Sequence, residues 1–333
     1  MRRDVGGVLL SPGFGPATAA LEGYLTPAQT DAVPDVAVRW GDVRLDRPTR
    51  TVARRLHVSV DGPPTLLWRG AAGLPVDLLA TWLDGRLELT AALTADRREQ
   101  VLRRLRPQRL PQQLLYLLGI YPSAWVARRR EGAALIHASA VQVDGHGILV
   151  VGPGGVGKSS LAAAALGLGG RLVSDNLVLA TPERVRGWRE PVRLAGSGAL
   201  AAGLTEVGGN GWHGRRDHRL AADRWLPSLT PTLVLVPALA DHPRVHPATD
   251  AGCWAARVLS VGALAGELTR WPAFCAALDH LDPRPATEAV GSVRQLLSGV
   301  PLHRIDLLRE GDPSSLQQLL HDLLNRPTGD LER

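Results

Sequence analysis

One glycine-rich stretch carries the clearest chemical signal in the sequence. Residues 152–159 read Gly-Pro-Gly-Gly-Val-Gly-Lys-Ser and match the phosphate-binding pattern G-x-x-x-x-G-K-[ST]. An apolar run at 148–151 predicts a buried strand before the pattern, and 159–168 predicts a helix after it. Glycines admit backbone conformations closed to other residues, so successive N–H groups can point at one anion beside the helix N-terminus. The stretch therefore predicts a loop that binds the phosphates of a nucleotide.

The residue types of this stretch predict ATP and Mg²⁺ as cofactors. Lys158 is expected to reach the β- and γ-phosphates, and the Ser159 hydroxyl is expected to bind Mg²⁺. Lys158 is also the only lysine among the 38 Lys and Arg residues, which indicates a place where a compact ammonium is needed. A strand-to-helix turn that binds nothing is the alternative. The predicted cofactor-binding residues are Gly152, Gly154, Gly155, Val156, Gly157, Lys158, Ser159 and Ser160.

Composition narrows the class of protein. A length of 333 residues favours two domains. The formal charge of +6 comes from evenly spread arginines without a block of five like charges, so we expect no nucleic-acid partner. Two cysteines make neither a disulfide framework nor a zinc site. The sequence has no signal-peptide pattern and no uncharged run of membrane-spanning length, so we expect a cytoplasmic protein without a membrane partner.

The periodicity of apolar residues divides the chain into three regions. Residues 1–33 are expected to form a loosely ordered arm, and 34–130 a β-rich domain with linking helices. Residues 133–326 alternate strands with helices, which predicts an α/β domain. The polar stretch 128–132 is predicted to be the boundary loop. Predicted strands are Val36–Trp40, 56–60, Thr65–Trp68, 86–90, Ala134–Val143, one that begins at 171–173 and runs toward 177–179, 232–236 and Leu302–Leu307. Predicted helices are 96–106, 112–119, 255–264, Trp271–Leu278, 288–297 and Pro313–Leu324, the last capped by Asp312.

Four segments together resemble the HPr kinase/phosphorylase family. They are Ile136-His-Ala-Ser-Ala-Val, Gly145-His-Gly-Ile-Leu-Val-Val-Gly, the glycine-rich stretch, and Arg171-Leu-Val-Ser-Asp-Asn. They are also similar to the HPr-kinase-like enzymes of peptide natural-product clusters, such as lasso-peptide kinases. The family has a histidine about fifteen residues before its loop, where His137 stands, and an acidic pair about seventeen residues after the loop lysine, where Asp175 and Asn176 stand. The resemblance implies a P-loop kinase core related to phosphoenolpyruvate carboxykinase over about residues 135–325.

The resemblance also implies roles for single residues. Asp175 would orient the acceptor hydroxyl and take its proton, and His137 would support transfer beside the γ-phosphate. The alternatives are an exposed or N-capping aspartate at the end of a strand and a buried, hydrogen-bonded histidine. Asn176 stands where the family has its second acidic residue, and could still bind Mg²⁺ through its carbonyl. Glu190 resembles the family's metal-side carboxylate, with a surface salt bridge as the alternative. The metal residues are therefore predicted to be Ser159 with Asn176 or Glu190.

Two further clusters are weaker candidates. Residues 215–219, Arg-Arg-Asp-His-Arg, lie in a polar stretch that could hold phosphate or an acidic acceptor; a solvated loop is the alternative. His242 and His246 have i, i+4 spacing, but prolines break any helix between them, so we expect no metal site there.

The predicted function is an ATP-dependent kinase. It would transfer the γ-phosphate to a Ser or Thr hydroxyl of a peptide or small protein, including a precursor peptide in RiPP biosynthesis. A kinase for the hydroxyl of a free amino acid and a nucleotide-binding ATPase or switch remain open alternatives. A guanine-specifying N-K-x-D motif is excluded, because the single lysine lies in the loop. The family's long C-terminal glycine-rich signature has no match here, which argues against a phosphorylase. The oligomeric state, including a homo-oligomer, stays open.

Overall fold

The structure is a computed structural model with two compact units. It describes residues 34–94, 109–194, 203–206, 216–247, 268–284, 289–308 and 312–325, and the backbone of three strands before residue 34. The first unit comprises Met1–Glu131 and Glu267–Thr287, and the second Gly132–Gly266 and Glu288–Arg333. The helices predicted at 96–106 and 255–264 lie outside the described residues. The chain is mixed α/β, with several sheets and few helices in the described part.

The first unit contains a nine-stranded sheet. Its spatial order is β3-β1-β2-β4-β9-β8-β7-β6-β5. Residues 1–33, expected to be a loosely ordered arm, contribute the strands β1, β2 and β3 to it. The strands are β1 (Arg3–Val5), β2 (Val8–Ser11), β3 (Thr26–Pro27), β4 (Val36–Trp40), β5 (Thr49–Ala53), β6 (Leu56–Ser59), β7 (Thr65–Trp68), β8 (Val76–Leu83) and β9 (Arg86–Leu93).

The β8–β9 hairpin shows why this part of the sequence forms a sheet. Every second residue of β8, from Val76 to Trp82, is buried, so the strand turns one face to the core. The turn uses Asp84 and Gly85, both at positive φ, the backbone twist that suits a two-residue hairpin. The sequence signalled this turn and β9, whereas β8 was not among the predicted strands.

Six α-helices are described. They are α1 (Arg109–Leu115), α2 (Tyr121–Glu131), α3 (Lys158–Gly167), α4 (Trp271–Leu278), α5 (Ala289–Leu297) and α6 (Pro313–Leu324). The predicted N-cap of α6 is confirmed, since the Asp312 carboxylate accepts from the Ser315 N–H at 3.3 Å.

The predicted C-terminal end of the helix at 112–119 was wrong. The chain passes from α1 through a buried π-helical turn, Tyr116–Ile120, directly into α2. The prediction of a loop at 128–132 was also wrong, because Arg128–Arg130 form the last turn of α2. The glycine that ends this helix is Gly132, which takes φ 65°, and not Gly119.

The segment Glu267–Thr287, placed by the sequence within the second domain, belongs to the first unit. The Asp279 carboxylate on this segment accepts from Trp125 Nε1 at 2.9 Å and from Arg129 Nη2 at 2.7 Å. Trp271 and Phe274 of α4 each lie 5.6 Å, between ring centroids, from Tyr121 of α2. A hydrogen-bonded anion and an aromatic cluster thus fix this segment within the unit.

The second unit is built on a second large sheet. Its order is β18-β14-β13-β10-β11-β19-β21-β20, with β12 also paired to β10, and β15-β17-β16 form a separate small sheet. The strands are β10 (Ala134–Val143), β11 (His146–Val151), β12 (Arg171–Ser174), β13 (Leu177–Ala180), β14 (Val185–Arg186), β15 (Val192–Leu194), β16 (Thr205–Glu206), β17 (Arg216–Arg219), β18 (Ser228–Leu229), β19 (Leu233–Leu239), β20 (Arg244–Pro247) and β21 (Leu302–Leu307).

Helices cover both faces of this sheet. Val141 and Ile148 point to a core shared with α3 and α6, while their neighbours Ala140 and Leu149 point to a core shared with α5. Strands with both faces buried read as continuous apolar runs, which is how β10 and β11 appear in the sequence. β11, β19 and β21 run parallel, so their carboxyl ends meet at one edge of the sheet.

Candidate functional site

The topology of the second sheet brings three predicted site segments to one edge. β10 lies between β11 and β12 and is antiparallel to both, so β11 and β12 point the same way. The glycine-rich loop follows the end of β11, and Asp175 follows the end of β12. His137 lies near the start of β10, at the same edge. Residues far apart in the chain therefore meet here.

The glycine-rich loop connects β11 to α3 as predicted. Gly155 and Gly157 have φ of 83° and 105°, in the region that favours glycine. A Cβ on Gly157 would lie 2.5 Å from Leu307 Cδ1, so the Leu307 side chain of β21 would have to shift to admit one. A Cβ on Gly152 would lie 3.1 Å from Val156 Cγ2. The loop is thus tightly wound against its own helix and a neighbouring strand.

Lys158, the first residue of α3, turns back into this loop. Its side chain is buried, with 6% of the residue exposed. The amine donates to the Gly152 carbonyl at 2.9 Å and to the Pro153 carbonyl at 2.7 Å. The single lysine of the chain is therefore enclosed by the loop that the sequence assigns to phosphate binding.

Asp175 is a buried residue whose carboxylate accepts several hydrogen bonds. It is 5% exposed, and its carboxylate accepts from the Ser139 hydroxyl at 3.0 Å, from the Ser159 hydroxyl and from the Arg193 backbone N–H. Burial raises the pKa of Asp175 to about 6, although these hydrogen bonds and the Lys158 charge act in the opposite direction. The structure thus joins Asp175 to Ser159 in the first turn of α3.

Ser139 is a site residue to which sequence reasoning gave no role. Its hydroxyl also lies 2.8 Å from the Asp175 backbone oxygen, so it anchors both the main chain and the side chain of that residue. The sequence feature that could have identified Ser139 is its position two residues after His137, which places both side chains on the same face of the strand.

His137 is a buried, neutral histidine. It is 7% exposed, and burial together with the Lys158 charge lowers its pKa to about 3, while a hydrogen bond with the Asn176 side chain acts to raise it. Its Nδ1 has no hydrogen-bond partner within the described part of the chain. The ring therefore carries no charge at neutral pH.

Asn176 and Glu190 are bonded to each other. Asn176 Nδ2 donates to Glu190 Oε2 at 3.1 Å, and Trp188 Nε1 donates to Glu190 Oε1. Glu190 is only 2% exposed, so it is a buried carboxylate and not the member of a surface salt bridge. Trp188, which encloses this carboxylate, was not among the predicted site residues.

The arginine-rich stretch differs from the predicted polar loop. Residues 216–219 form β17, paired with β15 and β16, and Arg215 lies outside the described residues. The exposed Arg216 forms an ion pair with Glu206 at 2.8 Å. Asp217 faces Arg193 at 3.5 Å. This segment therefore contacts Arg193, whose backbone N–H bonds Asp175.

The oxygen atoms at the start of α3 fit a magnesium ion. The Ser159 hydroxyl is a hard oxygen atom of the kind that Mg²⁺ takes beside phosphates, and its hydrogen bond to Asp175 holds it in the first turn of α3. Asn176 Nδ2 and both Glu190 oxygens are already hydrogen-bonded. Among the described residues, no group of three or more His, Cys, Asp and Glu side chains is placed to hold a metal, and His246 bonds Asp306 at 2.9 Å. In the same residues, no helix has the length and apolar character needed to cross a membrane.

Comparison with known proteins gives only distant structural similarity. No protein-family model matches the chain, and no curated protein matches it. Among solved structures, it is similar to the HPr(Ser) kinase/phosphatase from Coxiella burnetii, with 13% sequence identity and a TM-score of 0.28 over 57% of this chain and 96% of that chain.

Proposed function

We propose that the chain is an ATP-dependent kinase with a P-loop core of the HPr kinase/phosphoenolpyruvate carboxykinase-like type. It transfers the γ-phosphate to a Ser or Thr hydroxyl of a peptide or small protein. The observation that supports this best is the cluster at the start of α3, where Lys158, Ser159 and Asp175 meet. These groups can respectively hold phosphate, hold a metal beside it and orient a hydroxyl.

Each of these residues has a defined task in the proposed reaction. The loop N–H groups and the Lys158 ammonium bind phosphate oxygens, for which the amine exchanges its two carbonyl partners. Ser159 would hold Mg²⁺, which supplies charge neutralisation on the phosphates when bound.

Asp175 accepts the proton of the acceptor hydroxyl while that oxygen forms the new bond to phosphorus and the bond to ADP breaks. A pKa near 6 makes this carboxylate a better base than an ordinary aspartate. The loose transition state of phosphoryl transfer depends still more on the positioning that the Ser139 hydrogen bonds provide.

An extended peptide is our preferred acceptor. β5 ends the first sheet, its side chains are mostly exposed, and in the described residues it pairs with β6 alone. A peptide could add to such an edge by main-chain hydrogen bonds. We further propose a cytoplasmic setting, where ATP is available, and neither a nucleic acid nor a membrane as partner.

Mass spectrometry of the products tests the proposal. The protein is incubated with ATP and Mg²⁺ together with candidate peptides, or with free serine and threonine. We expect ADP and a peptide that has gained one phosphate, stable to acid and labile to strong base. Lys158→Ala is expected to remove the product, because no other lysine can replace the ammonium.

Two other results would replace the proposal with the open alternatives. A phosphate on free serine or threonine alone would indicate a small-molecule kinase. Free phosphate without any adduct would indicate an ATPase or switch, in which Asp175 orients water instead of a hydroxyl. An acid-labile adduct would exclude a hydroxyl acceptor.

A further inference from the structure

Glu190 is a carboxylate whose two oxygens are both used inside the protein. Oε1 accepts from the Trp188 indole and Oε2 from the Asn176 amide. Trp188 is as deeply buried as Glu190. A carboxylate removed from water in this way is tolerated only when its oxygens are hydrogen-bonded. Its surroundings are therefore those of an anion that orients its neighbours, in contrast to the metal-side role that the resemblance implies.

The orientation of the Asn176 amide follows from this carboxylate. An ionised carboxylate can only accept hydrogen bonds, so the amide must turn its NH₂ end towards Glu190. Its oxygen then faces His137, because the hydrogen bond between the two side chains acts to raise the pKa of the ring, as a bond donated by the ring does.

His137 completes a chain of hydrogen bonds. Its ring N–H donates to the Asn176 oxygen, and Nδ1 has no partner among the described residues, so the N–H belongs to Nε2. A neutral imidazole has one donor nitrogen and one acceptor nitrogen, and the hydrogen bond at one fixes the other. Nδ1 is therefore the nitrogen that keeps a lone pair in the plane of the ring.

We propose that Trp188, Glu190 and Asn176 are positioning residues that hold His137 in the tautomer protonated on Nε2, and that neither Glu190 nor Asn176 binds the metal. Trp188 fixes the carboxylate, the carboxylate fixes the amide, and the amide fixes the imidazole. The effect on reaction rate rests on the proposed kinase function, but the tautomer does not. A measurement on the protein without nucleotide can therefore test the chain of hydrogen bonds separately.

Nitrogen NMR of the imidazoles reads the tautomer directly. The full-length protein is labelled with ¹⁵N-histidine, and the His137 signals among the 10 histidines are assigned by their loss in His137→Gln. We expect wild-type His137 at neutral pH to show a protonated Nε2 and a bare Nδ1. In Glu190→Gln, a neutral amide can no longer impose one direction on Asn176, so His137 should show a mixture of tautomers.

Two further variants keep the test valid if Glu190→Gln folds poorly. Trp188→Phe keeps most of the volume and removes only the indole N–H, so a smaller shift towards the mixture is expected. Glu206→Gln is the matched control, since Glu206 belongs to an exposed ion pair of the same unit and should leave the His137 spectrum unchanged. An unchanged spectrum in both Glu190→Gln and Trp188→Phe would overturn the proposal.

Magnesium binding tests the other possibility, that Glu190 is a metal ligand. Calorimetry of ATP with and without Mg²⁺ compares wild type with Glu190→Gln. We expect the Mg²⁺-dependent gain in affinity to stay within about twofold, with a lower kcat and a nearly constant KM for ATP. A loss of that gain by about tenfold or more would make Glu190 a metal ligand and overturn the proposal. If the protein transfers no phosphate at all, the NMR result still decides the tautomer.

Discussion

At the scale of single residues, Asp175 should separate binding from chemistry. Asp175→Asn keeps the size of the side chain and removes its charge, so we expect ATP·Mg²⁺ affinity close to wild type and transfer slower by roughly 10²–10⁴-fold. Calorimetry and single-turnover rates measure the two effects. Ser139→Ala is the partner variant: it leaves the carboxylate but removes the hydroxyl that contacts its Oδ1 and the Asp175 backbone oxygen, so a smaller loss of rate is expected. Collapse of the affinity with an unchanged rate would make Asp175 a metal ligand.

Asp175 and His137 should also give opposite contributions to stability as pH falls. The folded-state pKa of Asp175, about 6, lies above its ordinary 3.8, so the folded protein takes up this proton first and gains stability between about pH 6 and 3.8. The folded-state pKa of His137, about 3, lies below its ordinary 6.5, so the unfolded chain takes up this proton first and the fold loses stability between about pH 6.5 and 3.

Single variants should reveal these two contributions, which nearly cancel in the wild type. From pH 7 to about pH 4.5, Asp175→Asn should lose more stability than wild type, and His137→Gln should lose less or gain. Each difference should be roughly 2 kcal/mol, because one pKa unit corresponds to about 1.4 kcal/mol. Urea denaturation of the metal-free protein at the two pH values measures this. Parallel changes in both variants would contradict the assigned burial of one of the two groups.

The sequence identified the site residues that lie at a fixed distance from the glycine-rich loop along the chain. It missed those that only the tertiary structure brings near the site. Lys158 and Ser159 follow from one short pattern, and Asp175 from its distance to that pattern. Trp188 could not be predicted, because its importance lies in the enclosure of Glu190, a contact that no local pattern encodes. Whether the predicted residues bind ATP and Mg²⁺ remains a prediction.

At the scale of elements, substitution by alanine should destabilise the protein at one glycine of the loop and have little effect at another. Gly157→Ala forces a Cβ into the left-handed region and against Leu307, so we expect destabilisation of about 1–2 kcal/mol or more and weaker ATP binding. Gly154→Ala is the matched control for stability, since no atom lies within 4 Å of its Cβ position. Urea denaturation compares the two. Equal free energies of unfolding would show that β21 yields easily to the new methyl group.

Strands and helices were predicted best where apolar residues recur with a single period along the sequence. The strands Val36–Trp40 and Ala134–Val143 and the helix Pro313–Leu324 are confirmed. The helix around Gly119 was not, because a local rule that ends helices at glycine was outweighed by the burial of the whole π-helical turn. The edge strand β5 was missed because its exposed, polar residues lack the apolar alternation of a buried strand.

At the scale of the whole molecule, the chain returns to its first unit at Glu267–Thr287, and Asp279 should be the residue that holds this return segment. Asp279→Ala leaves Arg129, whose side chain is 4% exposed, without its carboxylate partner. A buried guanidinium that loses its hydrogen-bond acceptor is costly, so we expect destabilisation of roughly 1–3 kcal/mol. Denaturation followed by tryptophan fluorescence measures it.

Asp42→Ala is the control for this prediction, because the Asp42–Arg44 pair is almost fully exposed at 3.9 Å and such pairs contribute little. Equal destabilisation by the two variants would contradict the anchoring role of Asp279. The return itself could not be predicted from the sequence. The amphipathic pattern of Trp271–Leu278 shows that one face must be buried, but not which sheet buries it.

The single lysine has a consequence for how the protein meets a protease. An endoprotease that cuts only after lysine has one site in the chain, and cleavage there yields residues 1–158 and 159–333. The scissile bond lies inside the first turn of α3, next to a buried side chain, so the cut must wait for that turn to open. The rate at which two fragments form therefore reports local unfolding of the candidate site itself, without any label, while the rest of the molecule remains folded.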